Sequence, residues 1–366
     1  MDKDCQRPIM TRHPSFLSLM FSQLPAINCR ETSLLSLLIL VLCPSPVFAQ
    51  TEEPSLLPFT SSDQVVVRME GSPRTRTIAG VIEDMTGQNI VFRRNGNTID
   101  VFKLSDVVSL RFQKSTEFDD GLRKLRSRDW KPALSALQSA AAIEPRQWVL
   151  REIQSAIAQS QRALGQFDEC LATVEKILKE DSHSRHVVEL PLVWDERLLS
   201  SQRIQLDFNA LQSQSPARRL TAASALLQDP TYQKAASAVL QSQRKELTGT
   251  LQDLAETQLW RLRLMTPNEL RESEIDQWNQ RVRFLDKRTR SGPEFLIGRA
   301  LLLTHDYDNA ATSLLWMPLL EPLDPWTNNA CMSDAITALD LSGRTQEAAR
   351  LRLEWPDLPS AEPAKP

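Results

Sequence analysis

The stretch from Lys114 to Gln147 constrains this chain more than any other, because its small and bulky residues fall at the spacing of two packed antiparallel helices. Counting Lys114 as the first residue, Gly121 is eighth, Trp130 seventeenth, Ala133 twentieth, Leu137 twenty-fourth, Ala140 twenty-seventh and Pro145 thirty-second. Small residues suit places where two helices cross closely, bulky ones fill the gap to the next hairpin, and proline ends the second helix. A hairpin of this kind cannot cover its own apolar face. The spacing therefore predicts further units stacked on this one.

Such units are present. Counted from Arg151, Ala158 is eighth, Gly165 fifteenth, Phe167 seventeenth, Cys170 twentieth, Val174 twenty-fourth and Ile177 twenty-seventh, with Ser182 where the first unit has proline. Counted from Ser291, Gly298, Tyr307, Ala310, Leu314 and Pro322 take the eighth, seventeenth, twentieth, twenty-fourth and thirty-second places, and Met317 the twenty-seventh. A last unit from Asn329 has Gly343 fifteenth and Ala348 twentieth, with Thr345 and Arg352 at the bulky places, as suits a terminal unit that meets water. This pattern resembles the tetratricopeptide repeat. The resemblance implies a concave groove that holds a protein or peptide segment through the first helix of each repeat. In the first unit it makes Arg123, Lys124 and Arg126 the partner-binding candidates.

Between these units, residues 187–290 lose the signature while keeping helical spacing over Leu198–Leu211, Ala217–Leu227, Thr231–Gln243, Glu246–Leu264 and Asn268–Asp286. Pro230 and Pro267 mark breaks near helix starts. The run Ala217–Gln241 resembles a paired-helix unit of the HEAT kind, which implies a continued stack of helical pairs.

Ahead of the repeats the period changes to that of strands. Gln64–Met69, Arg76–Asp84, Gln88–Arg94, Thr98–Phe102 and Val107–Phe112 are short, rich in β-branched residues and roughly alternating. Met85-Thr86-Gly87 and Asn95-Gly96-Asn97 supply turn residues, so the second, third and fourth strands form an antiparallel meander, and Leu104 to Val107 a short turn. Five such strands are expected to close into a small barrel, which removes exposed edges. Ile78, Gly80 and Ile82, followed by Gly87, Ile90, Val91, Phe92 and Arg93, resemble the SH3-like or Sm-like barrels of exported bacterial proteins. Some Sm-like barrels bind RNA. Here seven basic residues face six acidic ones over 63–112, and the whole chain carries −3, so phosphate binding is not expected.

The N-terminal region reads as an export signal over 1–49. Ser33–Cys43 is a compact apolar run preceded by Arg30, and Val47-Phe48-Ala49 fits a cleavage site. The run is about half of what a bilayer crossing needs. Residues 50–62, with Pro54 and Pro58, read as a linker, and 359–366 as a disordered tail. Cleavage would leave only Cys170 and Cys331, both expected as buried apolar side chains inside helical units.

Motifs for chemistry are scarce. The chain contains no G-x-S-x-G, H-E-x-x-H, C-x-x-C, P-loop or dinucleotide fingerprint. His183 and His186, near Glu180, Asp181 and Glu189, have some metal-ligand flavour, but a solvated turn accounts for them. Asp119 with Asp120, and Asp306 with Asp308, sit where helices begin, which capping and the helix dipole explain. Arg281, Arg283, Lys287, Arg288 and Arg290 read as a solvated face.

The sequence thus predicts an α+β, predominantly α chain: a five-stranded antiparallel barrel over 63–113, tetratricopeptide-like repeats over 114–186, a degenerate helical-pair solenoid over 187–290, and repeats again over 291–358. The expected function is an exported, non-enzymatic scaffold for a protein or peptide, without cofactor, metal, nucleic acid or small-molecule substrate. One alternative is a structural cell-envelope component whose barrel attaches to a complex or wall polymer while the solenoid acts as a spacer. An enzyme with an unrecognised site is the other.

Overall fold

The alternation of apolar and polar residues after Asp63 becomes a five-stranded antiparallel sheet. Its strands are β1 (Asp63–Arg68), β2 (Thr75–Met85), β3 (Asn89–Arg94), β4 (Ile99–Lys103) and β5 (Val107–Arg111), in the spatial order β4-β3-β2-β1-β5. The computed structural model describes residues 63–355 apart from 70, 73, 95–97, 199–207, 321 and 323, so the signal, linker and tail regions lie outside the described residues. The expected meander is present. β2 pairs with β3 and β3 with β4, and a single 3-10 turn at Leu104–Asp106 leads into β5.

Closure into a barrel is the expectation that fails. β4 and β5 are the two edges of the sheet, and neither contributes a buried residue. The inner face, built from Val65, Ile78, Ile82, Ile90 and Phe92, is covered instead by helical residues including Phe118, Leu137, Trp148 and Ile153. A sheet that buries its apolar face on helices has no need to curl over itself. The register shifts between Ile82 and Asp84, and the seam is tied at this irregularity. Trp148 Nε1 donates to the Ile82 carbonyl at 3.1 Å, and Arg151 Nη2 donates to the Met85 carbonyl at 2.8 Å and to Asp84 Oδ1 at 2.7 Å. Both donors thereby satisfy backbone acceptors at the seam.

Twelve α-helices follow among the described residues. They run as α1 (Thr116–Arg126), α2 (Trp130–Ile143), α3 (Gln147–Ala163), α4 (Phe167–Glu180), α5 (Pro216–Leu226) and α6 (Gln233–Glu246). The second six are α7 (Thr250–Leu264), α8 (Glu272–Arg283), α9 (Ser291–Leu303), α10 (Tyr307–Leu320), α11 (Pro325–Leu341) and α12 (Thr345–Glu354). In α1/α2, α3/α4, α9/α10 and α11/α12 the turns are the same. A residue in the left-handed region stands fifteenth in each unit: Arg128 at φ 61°, Gly165 at 74°, His305 at 65° and Gly343 at 81°. The next backbone N–H then reaches the carbonyl five residues back, as in Asp129 to Lys124 at 2.9 Å and Arg344 to Leu339 at 2.8 Å.

Packing inside the hairpins follows the spacing as well. Gly121 lies against Leu137, and Gly298 against Leu314, so closely that a Cβ on either glycine would fall 2.7 Å and 2.5 Å from those side chains. In the second hairpin the matching places hold Ala158 and Val174, smaller than leucine, and both are fully buried in one core cluster. Ala133, Cys170, Ala310 and Ala348, the twentieth residues, are all fully buried. Pro145 and Pro322 lie beyond the ends of α2 and α10, in the connections to the next hairpins.

The region between the repeats departs from expectation at its start. Leu190 to Asp195 carries no helix, and Leu190, Val193, Trp194 and Asp195 are buried. Pro191 has no N–H to donate to a helical ladder, and Ser224 Oγ takes the N–H of Val193 at 2.8 Å. Trp194 lies on Gly292 of α9, where a Cβ would come within 2.1 Å of its ring. The predicted helix over Leu198–Leu211 is absent at both ends, where Glu196–Leu198 and Phe208–Gln212 are 3-10 turns; its centre lies outside the described residues. The segment predicted as one helix from Glu246 divides at Gly249, and that predicted from Asn268 begins α-helical at Glu272.

Candidate functional site

The turn of the first hairpin and the end of the last meet across a cleft of about 590 Å3. Leu125, Arg126, Arg128 and Trp130 form one wall, Pro322, Asn328, Asn329 and Trp355 another, and Gln159, Arg162 and Glu189 lie between. A smaller recess of about 230 Å3 shares Leu125, Gln159 and Arg288 with it and adds Phe112, Phe118 and Leu122. Lys114, Glu152, Ser155 and His186 also line this recess, so its apolar side, Phe112, Phe118 and Leu122, faces a polar one, and it runs into the cleft at Arg288.

The charges in the cleft are unequally committed. Glu189 accepts from Arg162 at 3.1 Å and from Gln159 Nε2 at 2.8 Å. Asp324 caps α11, taking the Thr327 backbone N–H at 2.8 Å and its hydroxyl at 2.9 Å. Both acidic groups are therefore occupied within the protein. Arg126, Arg128 and Arg288 have no carboxylate partner among the described residues. Arg128 sits with its guanidinium 5.5 Å from the Trp355 ring centroid, and Trp355 Nε1 donates to Asn329 Oδ1 at 3.0 Å.

The three sequence candidates divide. Arg126 lines the cleft. Arg123 pairs with Asp120, as does Lys124 at 2.7 Å, so neither is drawn to the cleft by its charge. Trp130 and Phe167 are half-buried at matching places in their hairpins, and Trp130 faces the cleft. Sequence reasoning assigned Arg288 to a solvated face, could not separate Trp355 from the other tryptophans as core or anchor, and passed over Arg128. The signal for Arg128 was its fifteenth place, where the second and fourth units have glycine. Of the basic run, Arg281 is tied to Asp253 at 2.5 Å and Glu256 at 3.0 Å, which corrects its reading as part of a solvated face.

The histidine cluster also differs from a solvated turn. His183 is exposed, but Asp181 and His186 are buried at the seam between sheet and helices, and Glu189 is buried beside the cleft. His186 Nε2 lies 2.9 Å from Glu152 Oε1, and Arg185 Nη2 donates to the same oxygen at 2.7 Å. Burial alone would raise the Glu152 carboxyl, but His186 and Arg185 hold it down at about 2. Asp181 Oδ2 takes the Gly87 N–H at 2.7 Å. Each of these carboxylates has a structural occupant. Among the described residues no group of three or more His, Cys, Asp or Glu is placed to hold a metal ion.

Cys170 and Cys331 are free and buried, as their places in the helical units suggest. Burial pushes the Cys170 thiol up to about 12 and the Cys331 thiol well above its usual range. Among the described residues no helix is long and apolar enough to cross a membrane. Comparison of the chain with protein-family models, curated proteins and solved structures finds no match.

Proposed function

We propose that this chain is an exported, non-enzymatic binding protein of tetratricopeptide-like build, which holds a segment of a protein partner in the cleft between its first and last helical hairpins. The observation that carries the reading is the cleft itself, walled by Arg126, Arg128 and Trp130 on one side and Asn329 and Trp355 on the other. Half-buried aromatics beside arginines are the residue types that dominate binding energy at protein interfaces. The four like turns support the repeat resemblance, and the open five-stranded sheet serves as the N-terminal cover of the first hairpin. Export rests on the apolar run Ser33–Cys43 and the site ending at Ala49.

Affinity capture from the cell envelope tests this, with the native chain and a Trp130→Ala variant compared side by side. A partner retained by the native chain and lost from the variant is the expected result. Equal recovery by both sinks the reading.

A second reading, attachment through the sheet, is favoured by one observation. Val81, Ile99 and Val101 are exposed on β2 and β4, and Arg93 of β3 pairs with both Val81 and Ile99. Val101→Lys should then release the protein from the envelope while leaving capture through the cleft intact.

A further inference from the structure

We propose that the occupant of the cleft is an acidic peptide segment, whose side-chain carboxylates are bound by Arg126, Arg128 and Arg288 and whose neighbouring apolar side chain enters the recess of Phe112, Phe118 and Leu122. The inference rests on the binding reading above and adds the chemistry of the ligand. Charge complementarity carries it. Among the described residues of the cleft, Glu189 is neutralised by Arg162, and Asp324, capped by uncharged groups of Thr327, keeps its charge but stands against Arg126, Arg128 and Arg288, so the balance facing the ligand is positive. Arginine presents its N–H groups in a planar fork that matches a carboxylate, and Arg288 stands where cleft and recess join.

A second observation points the same way. Arg128 occupies a left-handed backbone position, φ 61°, that the second and fourth hairpins give to glycine and the third to His305 at 65°. A side chain there is held at a cost in backbone energy. Its partner in the structure is the Trp355 ring, which holds the guanidinium at the cleft wall without neutralising it. Glycine would make the better turn and would leave the cleft without this cation.

Three pools of hexapeptides test the inference, each with a fixed Leu or Phe two positions from a fixed pair: Asp-Glu, Asn-Gln or Lys-Lys. Binding of each pool to the full chain is followed by fluorescence anisotropy at two salt concentrations, with an oligothymidylate as competitor. The Asp-Glu pool should bind, more weakly at the higher salt. Arg128→Gly should weaken that binding roughly tenfold without lowering Tm, because relief of the left-handed backbone offsets the lost contact with Trp355, whereas a structural role for Arg128 would lower Tm. Equal binding of the Asn-Gln pool, or tighter binding of the Lys-Lys pool, overturns the acidic assignment and leaves the cleft reading standing. Unchanged affinity in Arg128→Gly also overturns it, as does displacement by oligothymidylate at lower concentration than by acidic peptide. Binding of no pool overturns both readings.

Discussion

The Arg128 guanidinium lies 5.5 Å from the centroid of the Trp355 ring, so the turn of the first hairpin touches the chain just after the last helix. This contact is worth about 0.5–1 kcal/mol at an exposed site. It draws together the two walls of the cleft. Trp355→Ala should therefore lower hydrogen-exchange protection in α12, Thr345–Glu354, and leave protection in β1–β3 unchanged. Equal loss in both would show that Trp355 supports the whole fold instead.

The pairs Gly298–Leu314 and Ala158–Val174 predict a compensation. Gly298→Ala places a Cβ about where Leu314 already stands, which should cost about 1–3 kcal/mol in denaturant unfolding. Adding Leu314→Val recreates the combination that the second hairpin tolerates, and should recover part of that loss. A double mutant no more stable than Gly298→Ala contradicts the packing account.

Acid should weaken the seam between sheet and helices. The Glu152 carboxyl is held at about 2 in the folded chain against an ordinary value of 4.5. Its ionisation therefore stabilises the fold fully above 4.5, and the gain is lost as pH falls towards 2. Glu152→Gln should be less stable than the native chain at neutral pH, with the difference shrinking over that acidic window in urea titrations. A difference independent of pH contradicts the assignment.

Cys170 and Cys331 should resist alkylation in the native state and react together on unfolding, because both thiols are buried and their pKa values raised. Mass-spectrometric counting of iodoacetamide adducts across a urea series checks this. Rapid labelling of either thiol without denaturant contradicts the packing of its helix.

Much of the local architecture was legible because local rules govern it. Gly121, Ala133 and Leu137 announce a hairpin through distances within one unit, and Gly165 and Gly343 mark its turn. The strands were legible through alternation. Sheet closure was not, because it depends on whether β4 meets β5 or the inner face meets Trp148, and alternation is the same in both cases. The buried path from Leu190 to Asp195 was hidden for a related reason: an extended segment inside a helical stack has no period of its own. The cleft was least visible. Arg128 and Trp355 become neighbours only through the summed curvature of all the units between them, and no single unit encodes that curvature.

The most direct test of the binding account is site-specific photocrosslinking in the producing cell, with a benzophenone side chain placed at one position at a time. Leu125 and Asn329 line the cleft, whereas Ser139 and Gln346 are exposed outside it. The account predicts a discrete protein adduct from Leu125 and Asn329 and none from Ser139 or Gln346. Adducts from the outer positions alone, or from all four alike, would contradict it.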